Sequence, residues 1–388
     1  CKLSKVKTNV YQLLIAGGPR AYYGVPASEK ITHLAFVFRS ADSTKEVKDN
    51  GNDIFIELSE EGLAVRILSP ADNSILDQNV DYTVAVTAQA ATAVTLYKNS
   101  EVVATSDGKD ISYTYTATVC EDVVVKAEAT DGTKTVTDEV FTTVLGATES
   151  QARPAGVTDG VTVNGNSATV VLYAPNKQQV ILLGDFNDFT PSNEYMMKRD
   201  GDYFWTTIDN LTPNTEVAYQ FLVDKTIKCA DPYGTKILDP WNDKWINQST
   251  NIYPNLREYP ADKATDILSV FATTPSEYSW SVTDFKRPKQ NSLAIYELLF
   301  RDFTTERSVK AAMAKLDHIK TLGINAIELM PIQEFDGNNS WGYNPCFYFA
   351  ADKAYGTVED YKTFIDECHK RGIAVILDIV INHATGQH

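Results

Sequence analysis

The chain has 388 residues and a formal net charge of −16, with a pI of about 4.8. A chain of this length is expected to form two to four domains. Nucleic-acid binding requires a basic patch that contacts phosphates, so this acidic composition argues against a nucleic-acid partner.

The first residue, Cys1, allows two interpretations. A mature bacterial lipoprotein begins with a lipidated cysteine, so one interpretation is membrane attachment through a lipidated Cys1. Residues 9–15 have the pattern of a strand rather than of a flexible tether, which favours an arbitrary start of the sequence. No apolar run is long enough to span a membrane. The other cysteines lack CxxC spacing, so neither a disulfide framework nor a zinc site is expected.

The first part of the chain reads as two β-modules in succession. Residues 1–63 contain strand-like runs at 31–39 and 53–58, separated by a polar turn, which predicts a partial β-module. Residues 64–146 contain short runs of alternating apolar and polar side chains with Asn-Ser and Asp-Gly turns. This pattern predicts an immunoglobulin-like β-sandwich.

A further β-module follows a short linker. Residues 146–154 are small and polar, as is typical of a linker. Residues 156–255 again contain short strand-like runs, among them 180–187 and 218–224. They predict a second β-sandwich.

Residues 291–388 alternate strand and helix patterns. Apolar runs predict strands at 292–298, 324–330 and 373–377, and the 3.6-residue spacing of apolar side chains predicts helices between them. The first helix spans 308–322 and ends at Gly323. The second starts at the N-cap Thr357, with Asp360 in a capping box, and ends at Gly372. Its predicted buried stripe is Val358, Tyr361, Ile365 and Cys368. Strands that alternate with helices form a parallel sheet that is buried on both faces.

Polar side chains follow the last apolar strand. Asp378, Asn382 and His383 come directly after residues 373–377. In a parallel α/β sheet, ligands bind at the carboxyl ends of the strands. The sequence therefore predicts a site at this edge of the sheet.

Five short motifs stand in order along this part of the chain. They are Tyr-Glu to Phe-Thr at 296–304, Ile-Glu-Leu-Met-Pro-Ile at 327–332, Trp-Gly-Tyr-Asn-Pro at 341–345, Tyr-Gly-Thr at 355–357 and Asp-Ile-Val-Ile-Asn-His at 378–383. Together and in this order they resemble the α-amylase superfamily of glycoside hydrolases. The Trp-Gly-Tyr-Asn-Pro form is most similar to the pullulanase, isoamylase and branching-enzyme side of that superfamily.

The resemblance implies a multidomain protein in which all-β sandwich modules precede the first part of a (β/α)8 catalytic barrel. It implies cleavage or transfer of α-glucosidic bonds with retention of configuration. Tyr343 would be the aromatic platform under the sugar, beside Trp341, and His383 would donate a hydrogen bond to that sugar. Asp378 would support the floor of the site, and Asn382 would be a ligand of Ca²⁺ in those members that hold the ion.

The second sandwich also carries a resemblance. Its strand-like runs, with Asp-Pro-Tyr-Gly at 231–234 and Asp-Pro-Trp at 239–241, are similar to the early-set module that precedes the barrel in glycogen-branching and debranching enzymes. Many such modules contact starch. The alternative is that this one only packs on the barrel.

The catalytic carboxylates are expected beyond His388. A retaining glycosidase needs two carboxylates about 5 Å apart, which in this superfamily follow the fourth and fifth strands of a barrel of about 250 residues. We therefore expect this sequence to be a fragment without activity of its own. We also expect the outer edges of the strands at 292–298 and 373–381 to lack a partner strand within it.

Several alternatives remain open at this stage. Glu328, Glu334 and Asp336 cluster near the end of the second strand, and a catalytic pair among these three is a less favoured alternative. A non-catalytic glycan-binding protein of the bacterial surface is the rival function, and a barrel enzyme of unrelated chemistry is a third. Stacked β-modules and an acidic surface favour the bacterial envelope or a secreted protein over a cytoplasmic glycogen enzyme. The bond cleaved, α-1,4 or α-1,6, is undecided.

Overall fold

The computed structural model describes residues 62–247, 251–275 and 277–385, and short segments of the first 61 residues (4–7, 10–12, 18–26, 29, 31–39, 46–47 and 54–57). Two compact units are present. The first contains Cys1–Ser74, Asp81–Thr116 and Val123–Thr142, and the second contains Ile75–Val80, Ala117–Asp122 and Thr143–His388. Within the described ranges, every helix is too short or too polar to cross a membrane. Cys1 lies outside the described residues, so its predicted lipidation stays a prediction.

The described segments before residue 62 form small antiparallel pairs. β1 pairs with β2, β3 with β6, and β4 with β5. The pair β3–β6 joins the two strand-like runs found in the sequence of this region. The elements are β1 Ser4–Lys7, β2 Val10–Gln12, α1 Gly18–Tyr23, β3 His33–Phe36, β4 Phe38–Arg39, β5 Glu46–Val47 and β6 Ile54–Glu57.

The next eight strands form two antiparallel sheets. They are β7 Ala64–Ser69, β8 Ser74–Leu76, β9 Asp81–Gln89, β10 Ala93–Lys98, β11 Glu101–Ser106, β12 Ile111–Thr116, β13 Glu121–Thr130 and β14 Thr135–Val144. One sheet has the order β12-β9-β7 and the other β11-β10-β13-β14-β8. Alternate side chains are buried along β13, among them Val123, Val125 and Ala127. Such alternation is expected for a sheet that packs on one face and meets solvent on the other.

Nine further strands build the second sandwich. They are β15 Gly160–Asn164, β16 Ser167–Tyr173, β17 Val180–Gly184, β18 Lys198–Asp200, β19 Tyr203–Ile208, β20 Glu216–Val223, β21 Ile227–Cys229, β22 Ile237–Leu238 and β23 Leu268–Ala272. One sheet has the order β15-β16-β19-β18 and the other β17-β20-β23-β22, with β21 also paired to β20. A core of Val170, Leu182, Phe204 and Phe221 lies between them. We call these strands the sandwich module.

The last strand of the sandwich module, β23, lies after residue 255, where the sequence pattern placed the end of this module. It pairs with both β20 and β22 and is buried over Leu268–Phe271. The strand has only five residues and follows a long irregular segment, so no neighbouring alternation marks it in the sequence. Between β22 and β23, a short 3₁₀ turn forms at Asp243–Trp245.

The final part alternates strands and helices. Its elements are β24 Ile295–Leu298, α2 Phe300–Phe303, α3 Val309–Met313, α4 Leu316–Thr321, β25 Ala326–Leu329, β26 Gln333–Phe335, β27 Pro345–Ala351, α5 Val358–Lys370 and β28 Ala374–Leu377. β24, β25 and β28 form a parallel sheet with β25 in the centre. Within the described residues, β24 and β28 therefore each have one neighbouring strand in this sheet. β26 and β27 form a separate antiparallel hairpin.

The helix predicted at 308–322 is two short helices, α3 and α4. Ser308 caps the first through its hydroxyl, which accepts a hydrogen bond from the amide of Ala311. The amide of Lys315 then bonds to the carbonyl of Ala312, a tighter turn that interrupts the α-helical ladder. The predicted face is still buried on both sides of the break. It contains Val309, Ala312, Leu316 and Ile319.

Helix α5 begins at the predicted capping box, in which Thr357 and Asp360 bond reciprocally. Its buried stripe differs from the prediction. Phe364 is fully buried where Ile365 was expected, and Val358 is exposed. The first turn lies at the rim of the core, so the buried face begins only at Tyr361 and follows a spacing of three and four residues to Cys368.

Candidate active site

The parallel sheet brings the carboxyl ends of three strands to one edge. Glu297 of β24 lies opposite Glu328 of β25, and Leu329 lies opposite Leu377 of β28. The amide of Asp378 donates a 3.0 Å hydrogen bond to the carbonyl of Leu329. Asp378 is therefore fixed at the point where β28 leaves the sheet.

A hairpin loop carries the aromatic motif to the site. β26 and β27 pair with Phe335 opposite Pro345, so residues 336–344 form the loop between them. Asp336 and Asn344 close its base, because the amide of Asp336 donates to the carbonyl of Asn344 at 3.2 Å. We call β26, β27 and this loop the Tyr343 hairpin.

Gly342 lets the loop pack against the end of β25. Its φ is +91°, and a Cβ atom at this position would lie 2.2 Å from the carbonyl oxygen of Pro331. An L-residue would both strain the backbone and overlap Pro331. Glycine is therefore needed in this motif for the close approach of two backbone segments, and it sets the position of Tyr343.

Tyr343 and Asp378 form the central contact of the site. The Tyr343 hydroxyl donates a 2.6 Å hydrogen bond to Oδ2 of Asp378. This bond, with burial and the negative charges of Asp378, Glu297 and Glu328, raises the pKa of Tyr343 to about 12. The phenol is therefore neutral and a hydrogen-bond donor at ordinary pH. The residue remains 37% exposed.

His383 lies on the other side of Tyr343. Its Nε2 is 2.8 Å from the carbonyl oxygen of Tyr343, and in the tautomer that carries a proton there it donates to that carbonyl. The hydroxyl of Tyr348, on β27, donates a 2.8 Å bond to the carbonyl of His383. The structure thus brings together three of the residues predicted from sequence, Tyr343, Asp378 and His383. Their roles toward a ligand stay predictions.

The two other predicted site residues lie at the surface. Trp341 is 59% exposed on the same loop as Tyr343, and Asn382 is exposed on the segment after β28. Within the described ranges, no group of three Asp, Glu, His or Cys side chains is arranged to hold a metal ion. A lone amide does not make a calcium site, which needs six to eight oxygen ligands. The role of Asn382 as a Ca²⁺ ligand therefore stays a prediction.

Lys353 was not identified from the sequence, and its partner Glu334 had been considered only as a less favoured catalytic candidate. Lys353 is 2% exposed and forms an ion pair with Glu334 at the base of the Tyr343 hairpin. Asp352, also buried, accepts hydrogen bonds from the amides of Phe335 and Ala354 at 3.1 Å and 2.8 Å. Glu334 therefore lies in a buried ion pair at the base of the hairpin, which agrees with its low rank as a catalytic candidate. The one signal was an Asp-Lys pair directly after an apolar run.

Burial dominates the electrostatics of this base. It raises the pKa of Glu334 to about 7, although the charge of Lys353 acts in the opposite direction. It also raises the pKa of Asp352, with a further contribution from the charge of Glu334. Burial alone would lower the pKa of Lys353, but Glu334 and Asp243 outweigh it and raise that pKa. The lysine therefore stays charged.

Comparison with known proteins gives matches for both later parts of the chain. Residues 302–388 match the alpha amylase catalytic domain. Residues 158–241 match carbohydrate-binding module 48, the isoamylase N-terminal domain. The first range contains the Tyr343 hairpin and the three-residue site, and the second covers most of the sandwich module.

Curated proteins and solved structures similar to this chain include the following three. The malto-oligosyltrehalose trehalohydrolase of Saccharolobus solfataricus is 30% identical over 226 residues, which are 58% of this chain and 33% of the relative. The 1,4-alpha-glucan branching enzyme of Oceanobacillus iheyensis is 28% identical over 229 residues, 55% of this chain and 32% of the relative. Among solved structures, the catalytic module of the glycogen-degrading pneumococcal virulence factor SpuA shares 24% identity, with a TM-score of 0.45, over 59% of this chain and 38% of that one.

The chain spans about a third of the length of the curated relatives that it matches. The resemblances found in the sequence are confirmed for both parts. The chain combines a carbohydrate-binding module 48 with part of an alpha-amylase catalytic domain, and its homologues are trehalohydrolase and branching-enzyme members of the alpha-amylase family.

Proposed function

We propose that the whole protein is a retaining glycoside hydrolase that acts on α-glucans such as starch, glycogen or malto-oligosaccharides. We further propose that Tyr343, Asp378 and His383 bind a glucosyl unit. One observation carries the proposal: a partly exposed tyrosine ring is held by its hydroxyl on a carboxylate at the carboxyl ends of parallel strands. Ligands of parallel α/β folds bind at this edge.

The chemistry of the site suits a sugar. The Tyr343 ring offers an apolar face, and a pyranose has an apolar face of matching size. Because the phenol is engaged by Asp378, the ring cannot swing away without breaking that bond. The second oxygen of Asp378 and the imidazole of His383 supply polar groups for the hydroxyls at the edge of a sugar.

These residues would bind and orient the substrate rather than break the bond. A retaining mechanism needs a nucleophilic carboxylate and an acid/base carboxylate about 5 Å apart across the scissile bond. Glu297 and Glu328 lie opposite one another within the strands, and Asp378 is engaged by Tyr343. We assign none of the three as nucleophile. Asp378 and His383 instead hold Tyr343 in place from two directions.

A second candidate function is glycan binding without catalysis. It is favoured by the match of residues 158–241 to a carbohydrate-binding module. Both candidates require an α-glucan partner, so binding alone does not separate them. A bacterial envelope or secreted location belongs to the proposal in either case.

Titration calorimetry with maltoheptaose tests the shared requirement, with cellohexaose as the β-linked control. We expect heat of binding with the α-linked sugar alone. Equal affinity for the two sugars, or no affinity for maltoheptaose, would contradict the assignment. Reducing-sugar release from starch by the complete protein then separates the enzyme from the binding protein.

A further inference from the structure

The Tyr343 hairpin is built against the sandwich module as well as against the parallel sheet. One buried cluster contains Ala230, Ile237 and Ile267 of the module together with Phe347 and Ala350 of β27. Phe347 and Ala350 of β27 therefore pack into a core that the module provides. The strand behind Tyr343 is held by residues that precede it by about 80 to 120 positions in the sequence.

A buried ion pair crosses the same boundary. Nζ of Lys353 lies 3.3 Å from Oδ1 of Asp243, which sits in the 3₁₀ turn that follows β22. The same ammonium pairs with Glu334 of β26. Asp243 also accepts a 3.0 Å bond from the amide of Asp239 through its other oxygen. One lysine thus connects the base of the hairpin to residues 239–245 of the sandwich module, the segment that directly follows β22.

Because the ion pair is buried, each of its charges needs its partner. Lys353 and Glu334 are 2% and 7% exposed. A buried charge that loses its partner cannot recover its hydration, so the surrounding structure must open or the charge must be neutralised. Oε2 of Glu334 already has no hydrogen-bond partner. The cluster therefore depends on Asp243 to balance the ammonium.

Two contacts nearer the surface join the same segments. Nδ2 of Asn338, in the loop that carries Tyr343, donates a 2.7 Å bond to the carbonyl of Asn242. The rings of Tyr233 and Phe349 stack with their centroids 5.2 Å apart and their planes at 16°. Both the strand and the loop of the hairpin are thus attached to the module.

We propose that Asp243 and Lys353 are positioning residues for Tyr343. Residues 239–245 of the sandwich module act as a fixed support for the Tyr343 hairpin, independently of any sugar that the module itself contacts. The effect of this support on glucan binding rests on the proposed function. The ordering of residues 336–344 by the same support does not depend on the proposed function.

The matched substitutions are Asp243→Asn and Asp188→Asn. The first removes the buried carboxylate charge at nearly constant shape. The second removes the charge of an exposed ion pair with Lys263, 2.6 Å long, in the same module. Hydrogen exchange, followed by mass spectrometry, reports the opening of residues 336–344 and of strands β16, β19 and β20 separately.

We expect Asp243→Asn to speed amide exchange in residues 336–344 by about tenfold or more, because a charged hydrogen bond is lost from a buried cluster. Exchange in β16, β19 and β20 should stay at the wild-type rate, and Asp188→Asn should alter neither. Asp243→Glu, which restores the carboxylate, should recover part of the protection. Lys353→Met, which removes the other member of the Asp243–Lys353 pair, is a second test of the same contact.

The affinity for maltoheptaose, measured per folded molecule, should fall in parallel with the protection of residues 336–344. A uniform increase of exchange over the whole module would indicate a general structural role and overturn the proposal. Wild-type exchange at 336–344 in both Asp243→Asn and Asp243→Ala would overturn it as well, even if Lys353→Met fails to fold. If the wild-type protein does not bind maltoheptaose, the proposed function fails, while the exchange data still decide the positioning role.

Discussion

The hydroxyl of Tyr343 reaches Oδ2 of Asp378 at 2.6 Å, although one residue lies on a hairpin loop and the other directly follows β28. This bond joins the two motifs that the sequence had singled out separately. It also fixes the direction of an aromatic ring that is open to solvent on one face.

Two substitutions of Tyr343 distinguish the contribution of its ring to glucan binding from that of its hydroxyl. Tyr343→Ala should weaken maltoheptaose binding by about 1–3 kcal/mol, by analogy with the stacking of bases on aromatic rings. The melting temperature should change little, because a partly exposed ring leaves no closed cavity. Tyr343→Phe keeps the stacking face and should lose less affinity. Calorimetry beside thermal unfolding measures both quantities.

Tyr173→Ala is the control for these variants. Tyr173 is an exposed tyrosine of the sandwich module, outside the site. It should leave the affinity for maltoheptaose unchanged. If Tyr343→Ala lowers the melting temperature strongly and folded molecules still bind, Tyr343 is a core residue rather than a platform.

Gly342→Ala should be more harmful than Gly337→Ala in the same loop. Both glycines have positive φ, +91° and +80°, but only Gly342 faces a neighbour, the carbonyl of Pro331. Backbone strain alone should cost Gly337→Ala about 1–2 kcal/mol. The added overlap should bring Gly342→Ala to about 2–5 kcal/mol. Chemical denaturation of the two variants gives the comparison, and equal costs would show that the loop moves freely away from Pro331.

Glu334 should make stability fall as the pH rises between about 4.5 and 7. Its pKa is raised from 4.5 to about 7 in the folded protein, by burial first and then by Asp243 and Asp239 against the opposing charge of Lys353. In this window the folded state keeps a proton that the unfolded chain releases. Raising the pH therefore favours unfolding.

Glu334→Gln should remove that contribution. The variant resembles the protonated side chain, so it should gain stability relative to the wild type as the pH rises from 4.5 to 7 and hold a constant difference above 7. Urea unfolding at a series of pH values measures the difference. A variant that instead loses stability relative to the wild type on going to pH 7 would mean that the ionised Glu334–Lys353 pair dominates.

Asp366 of α5 should stabilise the fold with a pH dependence opposite to that of Glu334, because its contribution is lost as the pH falls. It accepts bonds from the hydroxyl of Ser281 at 2.5 Å and from the amide of Val282 at 3.1 Å, and the Ser281 bond is the main reason that its pKa is lowered. The stabilisation is present above the ordinary pKa of 3.8 and is lost as the pH falls through the lowered value.

Asp366→Asn should therefore cost about 1–3 kcal/mol near neutral pH, and the cost should shrink below pH 4. A double-mutant cycle with Ser281→Ala isolates the pairwise contribution. Independent, additive effects of the two substitutions would contradict the assigned bond.

Local signals in the sequence located most of the parallel part. Apolar runs marked β24, β25 and β28, and the capping box of Thr357 and Asp360 marked the start of α5, because these features depend on neighbours within a few residues. Gly323 and Gly372 have positive φ just after the ends of α4 and α5, where such residues end helices.

The Tyr343 hairpin has no clear strand signal in the sequence. β26 has three residues, and its pairing with β27 shifts register at two places, so neither strand shows a regular alternation. The side chains of β27 instead satisfy two different surroundings, the parallel sheet on one side and the module on the other.

The buried ion pair between Lys353 and Asp243 could not be predicted from local sequence patterns either. Lys353 and Asp243 are far apart in the chain, and a lysine after a strand is normally solvated. Only the fold brings the carboxylate to it. The site residues Tyr343, Asp378 and His383 could be predicted from the sequence because they belong to the motifs that resemble the α-amylase superfamily.

The shared core of Ala230, Ile237 and Ile267 with Phe347 and Ala350 limits how these modules can be exchanged in evolution or by engineering. A donor module from another enzyme would have to present a matching concavity to β27 and an acidic residue to Lys353. An exchange of modules at the segment that connects them should therefore succeed only between proteins whose two contact surfaces match, because both modules determine the shape of the site around Tyr343.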